Sequence, residues 1–586
     1  MQQWMVINKK ADFKEIGQKY NIDQVTARII RNREVIEDEA IRRYLHGDIR
    51  DLYDPHLLKD GERLVEILSC KIREQAKIRI IGDYDIDGVM ATYILKTALD
   101  TCGAQVSIQI PDRIHDGYGL NVRLIDKAKE DGIDTILTCD NGISAIDEIA
   151  YAKELGMTVL VTDHHEIPYE QVDGERCYKQ SNADAIVNPH QLECAYPYKD
   201  LCGAAVAWKV VCLLYEKNGI ELEQAYALLE NVAFATVGDI MPLTDENRIL
   251  VKEGLLRIHH SSNVGMQALV AQCGLELASI DAFHFGFVLG PCINASGRLD
   301  TAKRSLDLFF QSEYDKAVQI ANELVVLNTE RKDLTLEGTK QAIAYVEENG
   351  LQDDDVLVIY LPDVHESIAG IIAGRIKEKY YRPTFVLTKG EDGVKGSGRS
   401  IEGYSMYERM CECQELFTKF GGHPMAAGLS LPEENVDAFR DKINKLSPLT
   451  REELVPKVHI DVPMPMDYVN TSLIEEFKCL APFGKDNVKP VFADKGISIR
   501  RMSIIGKNRN VLKLELLTAG LQRVSGIYFG DIDAFMDYVE EKWSKEAVDS
   551  AMAGKDNPIQ MSFVYFPKIN TFRGVDEIQF EIQYYL

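Results

Sequence analysis

Several features that would narrow the function of this chain early are missing. Its 586 residues carry 66 basic side chains against 92 acidic ones, for a net charge of −26. That deficit of cations argues against a protein that coats duplex nucleic acid, where phosphate neutralisation dominates affinity. There is no long Arg/Lys tail, heptad repeat, internal repeat or low-complexity run. No apolar stretch approaches the ~20 residues that a membrane span needs. The start, Met1-Gln2-Gln3-Trp4-Met5-Val6, lacks the charged-then-apolar layout of a secretory signal. The 12 cysteines include no CxxC pair, which speaks against a zinc or disulfide framework and fits the reducing cytoplasm. No P-loop and no Ser-His-Asp arrangement is visible. The expectation is a soluble cytoplasmic protein, too long for one core and divided into three or four domains.

What is present is acid, in tight clusters. Asp83-Tyr84-Asp85-Ile86-Asp87-Gly88 follows the apolar run Ile78 to Gly82, and Asp163-His164-His165 follows Thr158 to Thr162. Both runs read as buried parallel strands, which places the clusters at strand C-terminal ends, where open α/β sheets bind ligands. Three carboxylates within five residues repel by roughly 3 kcal/mol per pair at ~5 Å and an effective dielectric near 20. A divalent cation removes that penalty, and carboxylates with neutral imidazoles suit Mn²⁺ or Mg²⁺. The EF-hand calcium loop begins with the same acid spacing, but its twelfth position must be a carboxylate and is Ile94 here. The segment before it is a strand pattern rather than a helix, so that reading fails. Asp140, in Asp140-Asn141-Gly142, ends a third strand-like run at Thr135 to Cys139, and Asp239 ends an Ala-rich helical stretch. Singly, each such acid is more often a turn former or helix cap. Together they describe a metal centre.

Charge is also unevenly distributed. Between Pro482 and Lys513 eight basic residues (Lys485, Lys489, Lys495, Arg500, Arg501, Lys507, Arg509 and Lys513) face two acids. The segment is rich in strand and turn patterns, and Phe483 and Phe492 are available for stacking.

These motifs resemble those of the DHH phosphoesterase superfamily: DYDIDG, DNG, DHH and, later, VGDIMPL at Val237 to Leu243. The DYDxDG form, with PDR and DGYGLN between Pro111 and Asn121, is similar to the RecJ branch of single-strand-specific exonucleases. VNPH at Val187 to His190, NASGRL at Asn294 to Leu299, GSGRS at Gly396 to Ser400 and FGGHPMAAG at Phe420 to Gly428 continue the likeness. Ile86 and Ser296 stand where the family more often has Ala, and Val364 where it has Trp; none is an expected ligand.

The resemblance implies two divalent cations, Mn²⁺ or Mg²⁺, held by Asp85, Asp87, Asp140, His164 and Asp239, with Asp140 placed to bridge. Asp83 and His165 ligate or orient from beside them, and His423 contacts the scissile phosphate. It also implies a pocket for the substrate's end made by Arg113, Arg298, Ser397 and Arg399, where guanidinium forks bind phosphate bidentately. Gly396 and Gly398 are expected to let backbone N–H groups approach that phosphate. The basic segment, with Lys485, Lys489, Arg500, Arg501, Lys507 and Arg509, becomes an OB-like barrel that grips a single strand.

The fold implied is α/β: a doubly wound parallel sheet, a long connecting helix, a second α/β domain and a C-terminal barrel. The divisions are a helical extension at 1–74, a DHH catalytic domain at 75–245 and a helical linker at 246–350. A DHH-associated domain follows at 351–446 and the OB-like domain at 457–586. The implied activity is 5′→3′ hydrolysis of single-stranded DNA in repair and recombination, by a monomer working with single-strand-binding protein and a helicase. Two other classes share the motifs. DHH phosphodiesterases on small nucleotides or short RNA lack a basic C-terminal β-domain. Non-catalytic replication scaffolds typically lose motif acids, and here every expected acid and both histidines are intact.

Overall fold

Strands buried on both faces need apolar residues on both, and the runs that end at the acidic motifs supply them apart from the hydrogen-bonded Arg79, Thr138 and Thr162. The computed structural model describes residues 2–586 except 114–116, 118, 173–174, 391–392 and 573. Asp116 and Tyr118 of the DGYGLN motif lie outside the described residues. The chain forms two units, residues 48–456 and residues 1–47 with 457–586.

In the first unit, β1 (Lys77–Ile81), β2 (Gln105–Gln109), β3 (Thr135–Cys139), β4 (Thr158–Thr162) and β5 (Ala185–Val187) form one parallel sheet. The order is β2-β1-β3-β4-β5. Ile78, Ile80, Leu137, Cys139 and Leu160 point to a core shared with α1 (Ile86–Thr101) and α4 (Gly203–Lys217). Ile81, Ile136, Val159 and Val161 point oppositely, to a core shared with α2 (Val122–Glu130) and α3 (Ile146–Glu154). The expected doubly wound sheet is thus found. From β1 the chain crosses to β2 on one side and then to β3 on the other. The crevice at the β1 and β3 C-terminal ends is therefore a topological switch point.

Helix α4 is apolar nearly all round and buried from Gly203 to Tyr215. Its one buried cation, Lys209, pairs with Glu246 at 2.8 Å and donates to the Tyr53 carbonyl at 2.6 Å. The Tyr196 hydroxyl donates to the same Glu246 at 2.6 Å, so this buried charge pair has partners on every side.

Helix α5 (Leu229–Gly238) and α6 (Gly290–Leu299) border the sheet. The long connector is one uninterrupted 35-residue helix, α7 (Tyr314–Glu348). It packs on α8 (Ala369–Tyr380), with Gly338 against Ile372. Beyond it β6 (Leu357–Tyr360), β7 (Thr384–Gly390), β8 (Gly393–Arg399), β9 (Lys419–His423) and β10 (Ala426–Leu431) form a mixed sheet of order β9-β10-β8-β7-β6.

The second unit is built on β11 (Phe492–Ile505), β12 (Val511–Leu517), β13 (Arg523–Tyr528), β14 (Gln560–Phe572) and β15 (Val575–Tyr585). The order β11-β12-β13-β15-β14 closes because β14 also pairs with β11. That closing pair is antiparallel, and with the parallel pair β13–β15 it makes this a five-stranded barrel of OB type.

Residues 1–74 divide between the two units. Val25, Ile29, Ile30, Ile41, Tyr44 and Leu45 share the barrel's core, and the strand Gln3–Val6 runs parallel to Lys457–Ile460. Buried Arg33 holds buried Asp461 at 2.7 Å, and Asn32 donates to the Asp461 carbonyl at 3.0 Å. The helix Gly61–Arg73 instead packs with the sheet core of the first unit. An amphipathic stripe shows that a helix is covered on one face, not what covers it.

Removing the barrel alone therefore uncovers an apolar surface. Residues 48–456 should give a fragment that unfolds cooperatively and stays monodisperse. A fragment of residues 1–456 should bind a hydrophobic dye and aggregate. Equal behaviour of the two in dye binding and sedimentation would show that residues 1–47 do not depend on the barrel.

Candidate metal centre and phosphate pocket

The acids reach the crevice because each ends a buried element. Asp83 and Asp85 follow β1, Asp140 follows β3, Asp163 and the two histidines follow β4, and Asp239 is the C-cap of α5. Asp85 is also the N-cap of α1, where Oδ1 accepts from the Asp87 and Gly88 amides at 3.0 and 3.1 Å. Asp87 Oδ2 and Oδ1 accept from the Gly203 and Ala204 amides at 2.6 and 2.7 Å, in the first turn of α4. Two helix N-termini thus aim positive dipole ends at the cluster. Asp140 sits in the left-handed region at φ 60°. A Cβ on Gly203 would lie 2.6 Å from the Asp140 Cβ, so only glycine lets α4 start this close.

Three overlapping groups of donors result. Asp83, Asp85 and Asp140 bring ligand atoms within 4.8 Å of one another, as do Asp87, His164 and Asp239, and also Asp140, His164 and His165. Asp140 and His164 belong to two groups each. His164 Nε2 lies 3.1 Å from Asp140 Oδ1, 3.6 Å from Asp87 Oδ2 and 3.9 Å from Asp239 Oδ2.

The electrostatics are those of a site short of positive charge. Burial, then the Asp85 charge, raises the Asp83 carboxyl well above the ordinary range. Burial and then Asp87, Asp85 and Asp83 raise Asp140 in the same way. Burial followed by Asp87 raises Asp85. Burial lowers His164, favouring the neutral imidazole that metals bind. Asp83 Oδ1 is buried and accepts no hydrogen bond among the described residues. An unsatisfied carboxylate oxygen within reach of two other carboxylates is what a divalent cation would satisfy, so the donor set fits two such ions.

The sequence reading kept Asp83 beside the ligands; here it stands among the candidate donors. It overlooked Asp163. Burial would raise Asp163, but His165 Nδ1 at 2.8 Å outweighs this and holds the carboxyl at about 2. Burial likewise opposes protonation of His165, yet the Asp163 hydrogen bond raises it to about 9. Asp163 also accepts from the Ile143, His164 and His165 amides, so it fixes the whole motif. Asn141 was overlooked too, although its Nδ2 ties the β1 and β3 ends by donating to the Ile81 and Cys139 carbonyls.

A cationic group borders these acids. The Arg113 guanidinium lies 4.9 Å over the Tyr84 ring, and its charge acts on Asp83. Arg298 donates to the Ser367 carbonyl at 2.7 Å. Burial, then Arg113 and Arg331, lower its pKa to about 10, while Asp85 and Arg399 also act on it. Arg399 donates to the Gly398 carbonyl at 2.8 Å, and burial lowers it. A Cβ on Gly370 would lie 2.8 Å from Arg399 Nη2 and 3.4 Å from the Ser397 Cβ, so both residues border the start of α8. Helix α6 is seated on the acidic loop: Asn294 Oδ1 accepts from the Ile86 amide at 2.8 Å. A Cβ on Gly297 would lie 2.2 Å from the Tyr84 carbonyl, a contact only glycine permits. Arg331 on α7 joins this group, with its buried Nε making no hydrogen bond among the described residues.

Two expectations need correction. Gly396 and Gly398 face the core, where a Cβ would lie 2.4 Å from Leu387 and 2.6 Å from Met406, so tight packing is their role. Phe492 is 0% exposed at the barrel's centre and offers no ring to a ligand; Phe483 packs on the same core. His423 is exposed at the end of β9, and Ala426 pairs with both His423 and Arg399. No described contact joins His423 to the acids.

On the barrel, Arg500, Arg501, Lys507 and Arg509 are exposed on β11 and the turn after it, and Lys485 is exposed in the preceding loop. Arg500 pairs with Asp556 at 2.7 Å. Lys489 lies 4.0 Å over the Phe566 ring and 3.9 Å from Glu581. Part of the local positive charge is thus already balanced.

Comparison with known proteins gives three domain matches: the DHH family N-terminal domain over residues 77–236, the DHHA1 domain over 353–447 and the RecJ OB domain over 460–584. A protein of Bacillus subtilis named "Single-stranded-DNA-specific exonuclease RecJ" is 34% identical over 86% of this chain, which spans 62% of that protein's length. Proteins of the same name from Haemophilus influenzae and Escherichia coli are 33% and 31% identical. Those alignments cover 86% and 91% of this chain, and 88% and 92% of the relatives. The crystal structure of RecJ with Mn²⁺ from Thermus thermophilus superposes with a TM-score of 0.80, at 24% identity, over 100% of this chain and 79% of that one. A manganese-bound exonuclease RecJ structure matches 68% of this chain and 96% of its own, at 30% identity and a TM-score of 0.58.

The raised carboxyls and the raised His165 both set a pH dependence. A group whose folded pKa exceeds its unfolded value contributes stability below the latter and loses it as pH rises through the former. In chelator, the melting temperature should fall as pH rises from 6.5 to 9, and saturating Mg²⁺ should flatten the slope. Asp83→Asn should raise the chelated protein's melting temperature by several degrees and diminish the shift that Mg²⁺ produces. An unchanged Mg²⁺ shift would remove Asp83 from the donor set.

Proposed function

Because the chain belongs to the RecJ family of single-stranded-DNA-specific exonucleases, we propose that it hydrolyses single-stranded DNA stepwise from the 5′ end, in DNA repair and recombination. The observation that carries this reading is the adjacency of two opposite sites. The Arg113 guanidinium lies over the Tyr84 ring, Gly297, next to Arg298, packs on the Tyr84 carbonyl, and Tyr84 stands between Asp83 and Asp85, so a strand end held by these arginines would present its first linkage to the acids.

Asp83, Asp85, Asp87, Asp140, His164 and Asp239 would hold two divalent cations, Mn²⁺ or Mg²⁺, with His165 beside them. When bound, these ions supply Lewis acidity at phosphorus and lower the pKa of water. The protein's own part is to position. Asp163 engages His165 Nδ1, so coordination or proton donation falls to Nε2. Arg113, Arg298 and Arg399 hold the terminal phosphate through charge-assisted hydrogen bonds, with Ser397 as a further donor. Tyr84 separates the two halves, its ring under Arg113 and its carbonyl under Gly297. His423, on the same sheet end as Arg399, belongs to the phosphate side of this reading.

The barrel carries the rest of the strand on Lys485, Lys489, Arg500, Arg501, Lys507 and Arg509, with the acidic remainder of the surface limiting duplex binding. The RecJ OB domain match supports that assignment. Action as a cytoplasmic monomer, beside single-strand-binding protein and a helicase, completes the proposal and rests on likeness alone. Among the described residues no helix is long and apolar enough to cross a membrane.

The test is a digest of end-labelled single strands with Mg²⁺ or Mn²⁺, which should release the label as mononucleotide from the 5′ end. Asp140→Ala should cut turnover below a few per cent of wild type while strand binding persists; substantial residual turnover would make Asp140 a structural turn former. A 5′-phosphorylated strand should be cut faster than its 5′-hydroxyl twin. Arg399→Ala should shrink that preference roughly tenfold, about 1.4 kcal/mol. Equal losses on both strands would show that Arg399 never meets the terminal phosphate.

A further inference from the structure

Helix α6 does not begin alone. The short helix Ala282–His284 runs into a π-helical turn, Phe285–Leu289, and then into α6, so one helical rod leads to Asn294 and Arg298. Its inner side is fastened beside the metal centre. Phe285 packs on Phe234 of α5, with ring centroids 4.9 Å apart. A Cβ on Gly286 would lie 3.4 Å from Val237, and one on Gly290 would lie 3.4 Å from Ile86. Val237 is two residues before Asp239, and Ile86 stands between Asp85 and Asp87.

The outer side of the same rod is aromatic and uncovered. Phe283 is 59% and Phe287 70% exposed, and their rings stack at 5.0 Å and 24°. Next to Asp239 is a third exposed hydrophobic, Ile240, 67% exposed and in the left-handed region at φ 57°. A β-branched residue is strained there, and such strain collects at functional sites. π-Helical turns do the same. Two large rings held parallel in water, on the rod that bears a phosphate-pocket arginine, offer a flat π-face of the kind any nucleobase covers. Stacking of that type is indifferent to sequence, as hydrolysis along an arbitrary strand requires.

We propose that Phe283 and Phe287 form a stacking platform for the nucleobases of the single strand, on the outer face of the helical rod that carries Arg298. The proposal rests on the exonuclease reading and adds to it a binding site for bases, distinct from the sites for phosphate.

The test uses the full chain and strands carrying 2-aminopurine at successive positions, in EDTA so that binding is read without turnover. Wild type should quench the fluorophore at one or two positions, and the double variant F283L/F287L, which keeps apolar volume but loses both rings, should restore the emission. F287W in the otherwise unchanged chain should keep the quench. With Mg²⁺, the double variant should raise KM about tenfold on a normal strand, and wild type's preference for that strand over one with abasic terminal nucleotides should shrink by the same factor. Circular dichroism and melting of the variant establish that it is folded. Wild-type quench and KM in F283L/F287L would overturn the platform. So would an oligomeric wild type that the variant dissociates without change in quench, because the patch would then be a subunit interface. Failure of wild type to hydrolyse any strand would sink the exonuclease reading alone, since the quench still decides the platform.

Discussion

The crowding of carboxylates in a low-dielectric crevice is the constraint on which the rest of the catalytic unit depends. Asp83, Asp85, Asp87 and Asp140 are close enough that burial and mutual repulsion push three of them upward. Ionised carboxylates at such distances are tolerated only with compensating donors or cations. The fold supplies part of the compensation from the backbone, through the first turns of α1 and α4, and part from the histidines that Asp163 orients. What remains unsatisfied, Asp83 Oδ1 above all, is the shape of the missing positive charge.

That arrangement explains features of the scaffold that have no chemistry of their own. Helix α4 must begin almost on top of Asp140, which requires Gly203. Because α4 is apolar on nearly every side, its single buried lysine needs Glu246, Tyr196 and the Tyr53 carbonyl as partners. Helix α6 must reach the Tyr84 carbonyl, which requires Gly297, and it takes the Ile86 amide through Asn294. The arginines come from the loop after β2, from α6 and from β8, segments that meet only when α6 and α8 converge.

Much of this was legible along the chain. Apolar runs ending in acids announced parallel strands and a site at their ends, since a strand buried on both faces must be apolar on both and its terminus is where polar groups can begin. The spacing of DYDIDG and DHH announced a metal, because no other common ligand relieves so much negative charge. The alternation that assigns Ile80 to one core and Ile81 to the other was implicit in the strand period of two. Less legible was which of several acids does what. Asp163 and Asp83 differ little in sequence context, yet one binds an imidazole and three amides while the other keeps an oxygen unsatisfied.

The sequence by itself determined the type of the elements that end at the acidic motifs, the presence of a metal site and the family, because these depend on local periodicity and on residues adjacent in the chain. Tertiary structure alone decided the partners. The first 47 residues belong with the barrel because Arg33 finds Asp461 more than four hundred residues away. Gly396 and Gly398 turn out to serve packing, and Phe492 to serve the core, because burial is a property of the closed sheet rather than of the strand. The exposed pair Phe283 and Phe287 could be recognised only once Phe285 and Leu289 on the same rod had found their cover and these two had not. Distance along the chain carries no information about which surfaces remain wet; closure of the fold does.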